Sequence, residues 1–89
     1  MTITKYEDVF ELLTDERLAA IEDMNIEDLK ETICQFAFLA SMIGEIEVIR
    51  QMAPMVNDAE DREFLRDTFA KGKEGATLAL GNFVRMTST

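Results

Sequence analysis

Hydrophobic residues recur at spacings of three and four along most of the chain, a pattern that predicts helices rather than strands. The clearest example is the run Leu29, Ile33, Phe36, Ala40 and Ile43. Asn25 is a suitable N-cap before this run, and Pro54 cannot continue a helix beyond it. We therefore predict a long central helix over about 26–52, roughly 40 Å in length.

A shorter stripe precedes the long helix, and a Thr4–Glu7 capping box marks its start. Its members are Tyr6, Val9, Phe10 and Leu13. The pattern fails at Thr14, because a continuous helix would carry Arg17 into the apolar arc. We expect the first helix to be split near Thr14, with a short second helix starting there.

The C-terminal third of the chain predicts one more principal helix. Asn57 and Glu60 resemble a capping box at its start. The residues expected to face inward are Phe64, Leu65, Thr68, Phe69, Leu80, Phe83 and Val84. Gly72 and Gly75 either end this helix or form a weak joint within it. A row of small residues (Gly72, Ala76 and Ala79) would allow another helix to approach closely.

Together these elements predict an all-α fold in a single domain spanning residues 1–89. We expect a small bundle of three principal helices, the first of them either one helix or two pieces, around the long central helix at about 26–52. At this length the core is thin, because folding buries only about 60% of the surface that the unfolded chain exposes.

The long helix carries a second apolar stripe in its middle. Its residues include Phe38, Met42, Ile46 and Ile49. Both stripes are used within the chain if the N-terminal helices cover one and the C-terminal helix covers the other. Alternatively, these four residues form a partner or dimer interface, for which a two-fold homodimer is the commonest solution. We expect self-association through this face.

Charge is the strongest compositional signal. The chain has 18 acidic and 9 basic residues, for a net charge of −9. Such a surface repels nucleic acid and anionic lipid, so the expected partner is another protein with a basic surface. The predicted acidic partner-binding face consists of Glu7, Asp8, Glu11, Asp15, Glu16, Glu22, Asp23, Glu27 and Asp28. The alternative is that these acids only keep a small protein soluble.

The sequence contains no recognisable catalytic centre, metal site or cofactor motif, and it has no histidine. Cys34 lies among apolar neighbours, which predicts a buried thiol and a reducing compartment. We expect a cytoplasmic protein, since no signal peptide is recognisable and the apolar run Ile33–Ile43 is too short to cross a bilayer. Glu47 continues a buried stripe, so we expect it to be partly buried and paired with an arginine.

These observations favour a non-enzymatic protein–protein interaction module that inhibits or regulates a larger protein, either a basic one or one that handles nucleic acid. The alternative is a structural or assembly component that forms a homo-oligomer or part of a larger complex. An enzyme is the least supported class, because it needs a cleft with paired titratable groups.

Overall fold

The computed structural model describes residues 5–88, and every regular element in this range is helical. Four α-helices follow one another, with a 3-10 turn at Ala53–Met55 before the last: α1 (Tyr6–Phe10), α2 (Asp15–Glu22), α3 (Ile26–Met52) and α4 (Ala59–Met86). The all-α prediction and the long helix over 26–52 are therefore confirmed. The predicted break near Thr14 is also present, because α1 and α2 are separate helices.

The caps of α2 and α3 are those that the sequence predicts. Thr14 Oγ1 accepts a hydrogen bond from the backbone N–H of Arg17 at 3.3 Å. Asn25 Oδ1 accepts from the N–H of Asp28 at 2.9 Å. Each bond satisfies one of the N–H groups that the first turn of a helix leaves without a partner. The predicted cap residue Thr4 lies outside the described residues.

The cap of α4 differs from the prediction by one residue. The N-cap is Asp58 rather than Asn57, and its Oδ1 accepts from the N–H groups of Glu60 and Asp61 at 2.8 and 3.3 Å. A carboxylate at this position also interacts favourably with the positive end of the helix dipole. That preference explains why Asp58 takes the position ahead of the neutral Asn57.

The main packing contact joins α3 and α4, which run antiparallel through the turn at Ala53–Met55. The glycines of α4 do not interrupt it. A Cβ atom at Gly72 would lie 3.2 Å from Ile46 Cγ1, and one at Gly75 would lie 3.2 Å from Met42 Sδ. The two glycines thus bring the helices close together. The predicted small-residue row is confirmed, since Gly72, Ala76 and Ala79 are buried.

The hydrophobic core lies where α1 and the segment after it meet α3 and α4. It contains Val9, Leu12, Leu39, Ile43, Ile46, Ala76, Ala79 and Phe83. The rings of Phe36 and Phe83 pack beside this cluster with centroids 5.2 Å apart. The molecule is elongated, with extents of 51 × 21 × 16 Å.

One flank of the α3–α4 pair carries α1. The Tyr6 ring lies against Gly44, 3.3 Å from where a Cβ atom would stand. Met42 is two residues from Gly44 and therefore points about 200° away around the helix. The flank of α3 that bears Met42 consequently faces away from α1. Phe38 and Met42 lie on it, and Gly75 of α4 packs against both. By helical spacing, Phe64 and Leu78 lie on the same side of α4 as Gly75, and we call these five residues the open flank.

Several residues predicted to be buried are exposed in the structure: Tyr6, Phe10, Ile33, Cys34 and Phe64. Periodicity identifies a shared face, but within residues 5–88 no neighbouring helix covers these positions fully. Cys34 is exposed because it lies two residues from the buried Thr32, on the opposite side of α3. The prediction of a buried thiol was wrong.

Candidate interaction surfaces

The predicted acidic face extends from one end of the elongated molecule along the side that carries α1, because α1 contacts Gly44 and Glu47 in the second half of α3. We call it the acidic end of the chain. Its nine carboxylates stand on α1, on α2, in the connecting segments and in the first turn of α3. All are exposed except Asp8, which is half-buried. Asp8 accepts a hydrogen bond from the Lys5 N–H at 3.1 Å, and Asp28 accepts one from the Asn25 side chain at 3.1 Å. Those two acids therefore also serve local structure.

The four residues of the predicted apolar face lie on one side of α3, but that side packs largely against α4 of the same chain. Ile46 and Ile49 are buried, Met42 is half-buried, and Phe38 remains 43% exposed. This placement matches the alternative in which both stripes of the long helix are used within the chain. A dimer interface through all four residues would require α3 and α4 to separate or to exchange between two chains.

The open flank retains exposed apolar surface. Phe64 is 68% exposed and Leu78 is 65% exposed. Phe38 Cζ lies 3.5 Å from where a Cβ atom of Gly75 would stand, and Leu78 follows one turn after that glycine. Gln35 and Asn82 share a side-chain hydrogen bond of 3.4 Å between the same two helices. An apolar surface with a polar edge is typical of a protein interface.

Exposed apolar side chains are abundant over the described residues. Eleven large ones are exposed, against nine apolar residues in the core. The accessible surface is 6377 Å², whereas a compact monomer of 10.1 kDa exposes about 5,300 Å². The radius of gyration is 15.4 Å, where about 12 Å is expected for this length. The difference in area, roughly 1,000 Å², follows from the elongated shape and includes polar as well as apolar surface.

A cavity that the sequence did not predict lies beside the last turn of α3, next to the turn that leads to α4. Its volume is about 410 Å³, and its walls include Ile49, Leu65 and Phe69. Three arginines also line it: Arg50, Arg62 and Arg66. The spacing of Arg62, Arg66 and Phe69 does place them on one face of α4. The contribution of Arg50 depends on the register of α3 against α4, which the sequence does not reveal.

Glu47 is half-buried, as predicted, but the partner of its carboxylate is the backbone of α1 rather than the predicted arginine. Its Oε1 accepts a hydrogen bond from the backbone N–H of Tyr6 at 3.2 Å. This bond ties the first turn of α1 to α3. It gives the carboxylate a structural role at the point where the acidic N-terminal segment meets the long helix.

The segment Ile26–Met55 is long and apolar enough to cross a membrane, by length and composition alone. An 18-residue window in it has a mean hydropathy of 1.5, and 28% of that window is buried. The core helix of a soluble protein gives the same values. The prediction that no segment crosses a membrane, which relied on the shorter run 33–43, therefore stays a prediction.

Within residues 5–88, no group of three or more Cys, Asp or Glu side chains is arranged to hold a metal ion. No family model, no curated protein and no solved structure matches the chain. Any function of this chain therefore has to be inferred from the surfaces described above.

Proposed function

We propose that this chain is a non-enzymatic protein–protein interaction module that inhibits or regulates a larger protein with a basic surface. The observation that carries the proposal is the excess of exposed apolar surface on a small, elongated and strongly acidic molecule. Burying such surface is favourable by about 25 cal/mol per Å². A partner that covers it would therefore add stability that the thin core lacks.

The acidic end supplies the attraction in this proposal. Residues 1–44 contain ten acids and three bases, and the acids that do not serve helix caps point to solvent. Complementary charge accelerates the encounter of two proteins, and buried apolar contacts slow their separation. Glu7, Glu11, Asp15 and Glu16 would act in the first step. The exposed side chains of the open flank would act in the second.

We further propose that the helices act as one three-helix bundle. The segment from α1 to α2 serves as the first helical layer, and α3 serves as the spine. In this arrangement the acidic end and the open flank lie on different sides of the bundle, so a cytoplasmic partner that contacts both has to extend around it. The pairing of α3 with α4 supports this, as does the contact between Tyr6 and Gly44.

The proposal is tested with two variants of equal charge. The first neutralises the acidic end (E7Q/E11Q/D15N/E16Q), and the second neutralises acids elsewhere (E45Q/E60Q/E63Q/E74Q). All eight side chains are exposed, so both variants should fold. Tagged proteins would be used to capture partners from lysate at low and high salt. The association rate of the captured protein would then be measured with purified components.

We expect the wild type and the second variant to capture the same basic protein at low salt and to release it at high salt. The first variant should associate about tenfold more slowly, since steering raises association rates by that factor or more. Equal rates for both variants, or binding that salt does not weaken, would show that the acidic end is not the contact surface.

Self-association is the second candidate function, and the exposure of Phe38, Phe64 and Leu78 on one flank favours it. Two copies that pack their open flanks together would form a symmetric homodimer. A structural or assembly role would follow. This interface differs from the predicted one, because it uses exposed residues of α4 together with Phe38 and leaves Ile46 and Ile49 inside the chain.

Sedimentation velocity at tens of micromolar distinguishes the two candidates. If the open flank is a dimer interface, the wild type and V48Q should sediment as dimers, and L78Q should sediment as a monomer. Val48 is a matched control, since it is similarly exposed (54%) but belongs to a different face of α3. Monomers in all three samples would exclude the homodimer at this concentration.

A further inference from the structure

The cavity beside the α3–α4 turn has the composition of a binding site for an anion with an apolar body. Three arginines line it in a chain that has two acids for every base. Among the described residues that line it there is no acid. The remaining walls are apolar and include Ile49, Leu65 and Phe69. The cavity therefore combines positive charge with a surface that favours a hydrocarbon.

Both α3 and α4 contribute arginines to the cavity. Arg62 and Arg66 are four residues apart and lie on the same face of α4. Arg50 comes from the last turn of α3, and its Cζ lies 5.8 Å from the centroid of the Phe69 ring. Lys73 Nζ lies 5.9 Å from the same ring. Cation–π contacts of this kind hold positive groups next to the apolar wall.

We propose that this cavity binds a small amphiphilic anion, in which a carboxylate or a phosphate monoester ends an aliphatic chain. The planar guanidinium group matches both head groups, because it can donate two parallel hydrogen bonds. The volume of about 410 Å³ lies in the range of sites that bind small molecules. The net charge of −9 also disfavours a polyanion such as nucleic acid.

The site does not depend on the proposed regulatory function. The first turn of α3 and the cavity at its last turn are about 35 Å apart along the helix, whereas α1 reaches Gly44 and Glu47 and lies nearer to the cavity. The two sites share no residue. Loss of one function should leave the other intact.

The test titrates ¹⁵N-labelled protein with octanoate and with octyl phosphate, and follows the amide signals of Ile49, Leu65 and Phe69. Acetate supplies the head group alone, and octanol supplies the chain alone. We expect both amphiphilic anions to produce saturable shifts at these amides. Acetate and octanol should bind at least about tenfold more weakly, because each satisfies only half of the site.

Two double variants test whether the arginines of the cavity bind the anionic head group. R62Q/R66Q should weaken octanoate binding about tenfold or more, whereas K30Q/R85Q removes the same charge at the other end of the molecule and should leave it unchanged. Stronger binding of octyl phosphate would identify a phosphate monoester as the preferred head group, and stronger binding of octanoate a carboxylate. The absence of saturable shifts at the cavity would overturn the proposal, as would equal binding of octanol and octanoate or an unaffected R62Q/R66Q variant.

Discussion

Three glycines of α4 occupy surroundings that differ sharply. Gly72 and Gly75 lie against α3, where a Cβ atom would come within 3.2 Å of a side chain. A Cβ atom at Gly81 would meet nothing within 4 Å. Glycine destabilises the interior of a helix. The close packing of α3 and α4 requires glycine at Gly72 and Gly75, whereas Gly81 makes no such contact with the described residues.

Substitution at these positions should therefore have opposite effects. Gly81→Ala should raise the free energy of unfolding by about 0.5–1 kcal/mol, because alanine restricts the unfolded chain and favours the helix. Gly72→Leu should lower it by about 1–3 kcal/mol, because the new side chain would meet the buried Ile46. Thermal unfolding followed by circular dichroism measures both. Stabilisation by Gly72→Leu would mean that α3 and α4 are not packed as described.

Cys34 provides a second test at the level of a single residue. Its thiol is exposed on the outer side of α3, so a thiol reagent should modify it in the native protein at a rate close to that of the unfolded chain. The rate is measured with and without denaturant by absorbance. Strong protection in the native protein, released only by denaturant, would show that another surface covers this side of α3.

Among the secondary-structure elements, helix bounds were more predictable than burial. Asn25 and Pro54 delimit α3 because a cap and a proline act locally. The exposure of Phe10, Ile33 and Phe64 was not predictable, because periodicity shows which residues share a face but not what covers it. With five and eight residues, α1 and α2 are too short to cover the full length of α3.

The cap of α4 allows the corrected assignment to be checked. Asp58→Ala should lower the free energy of unfolding by about 1 kcal/mol, because the N–H groups of Glu60 and Asp61 would lose their acceptor. Asn57→Ala, at the position that the sequence suggested, should change it by less than about 0.5 kcal/mol. Chemical denaturation gives both values. A larger loss for Asn57→Ala would restore the original assignment.

In the molecule as a whole, charge and apolar surface are distributed unevenly along an axis of 51 Å. The acidic residues run from one end along the side that carries α1, and the arginine-lined cavity lies at the other end. The acidic half could be read directly from the sequence, since its residues are contiguous. The cavity and the open flank could not, because each combines residues of α3 and α4 whose register depends on the close approach at Gly72 and Gly75.

By length and composition α3 could enter a membrane, but its charged residues oppose insertion. Insertion would bury Glu45 and Glu47 and would break the bond from the Tyr6 N–H to Glu47. An acidic residue near the centre of a membrane helix costs roughly 2.5–3.5 kcal/mol. We therefore expect the protein to remain in the aqueous fraction when it is floated with phosphatidylcholine vesicles.

The variant E45L/E47L removes that cost while keeping the length of α3. It should float with the vesicles in a larger fraction than the wild type. The matched variant E60L/E63L carries the same charge change on α4 and should not. Flotation of the wild type itself would instead mean that lipid covers the exposed apolar residues of α3. The acidic first turn of that helix would then have to lie at the membrane surface rather than on a protein partner.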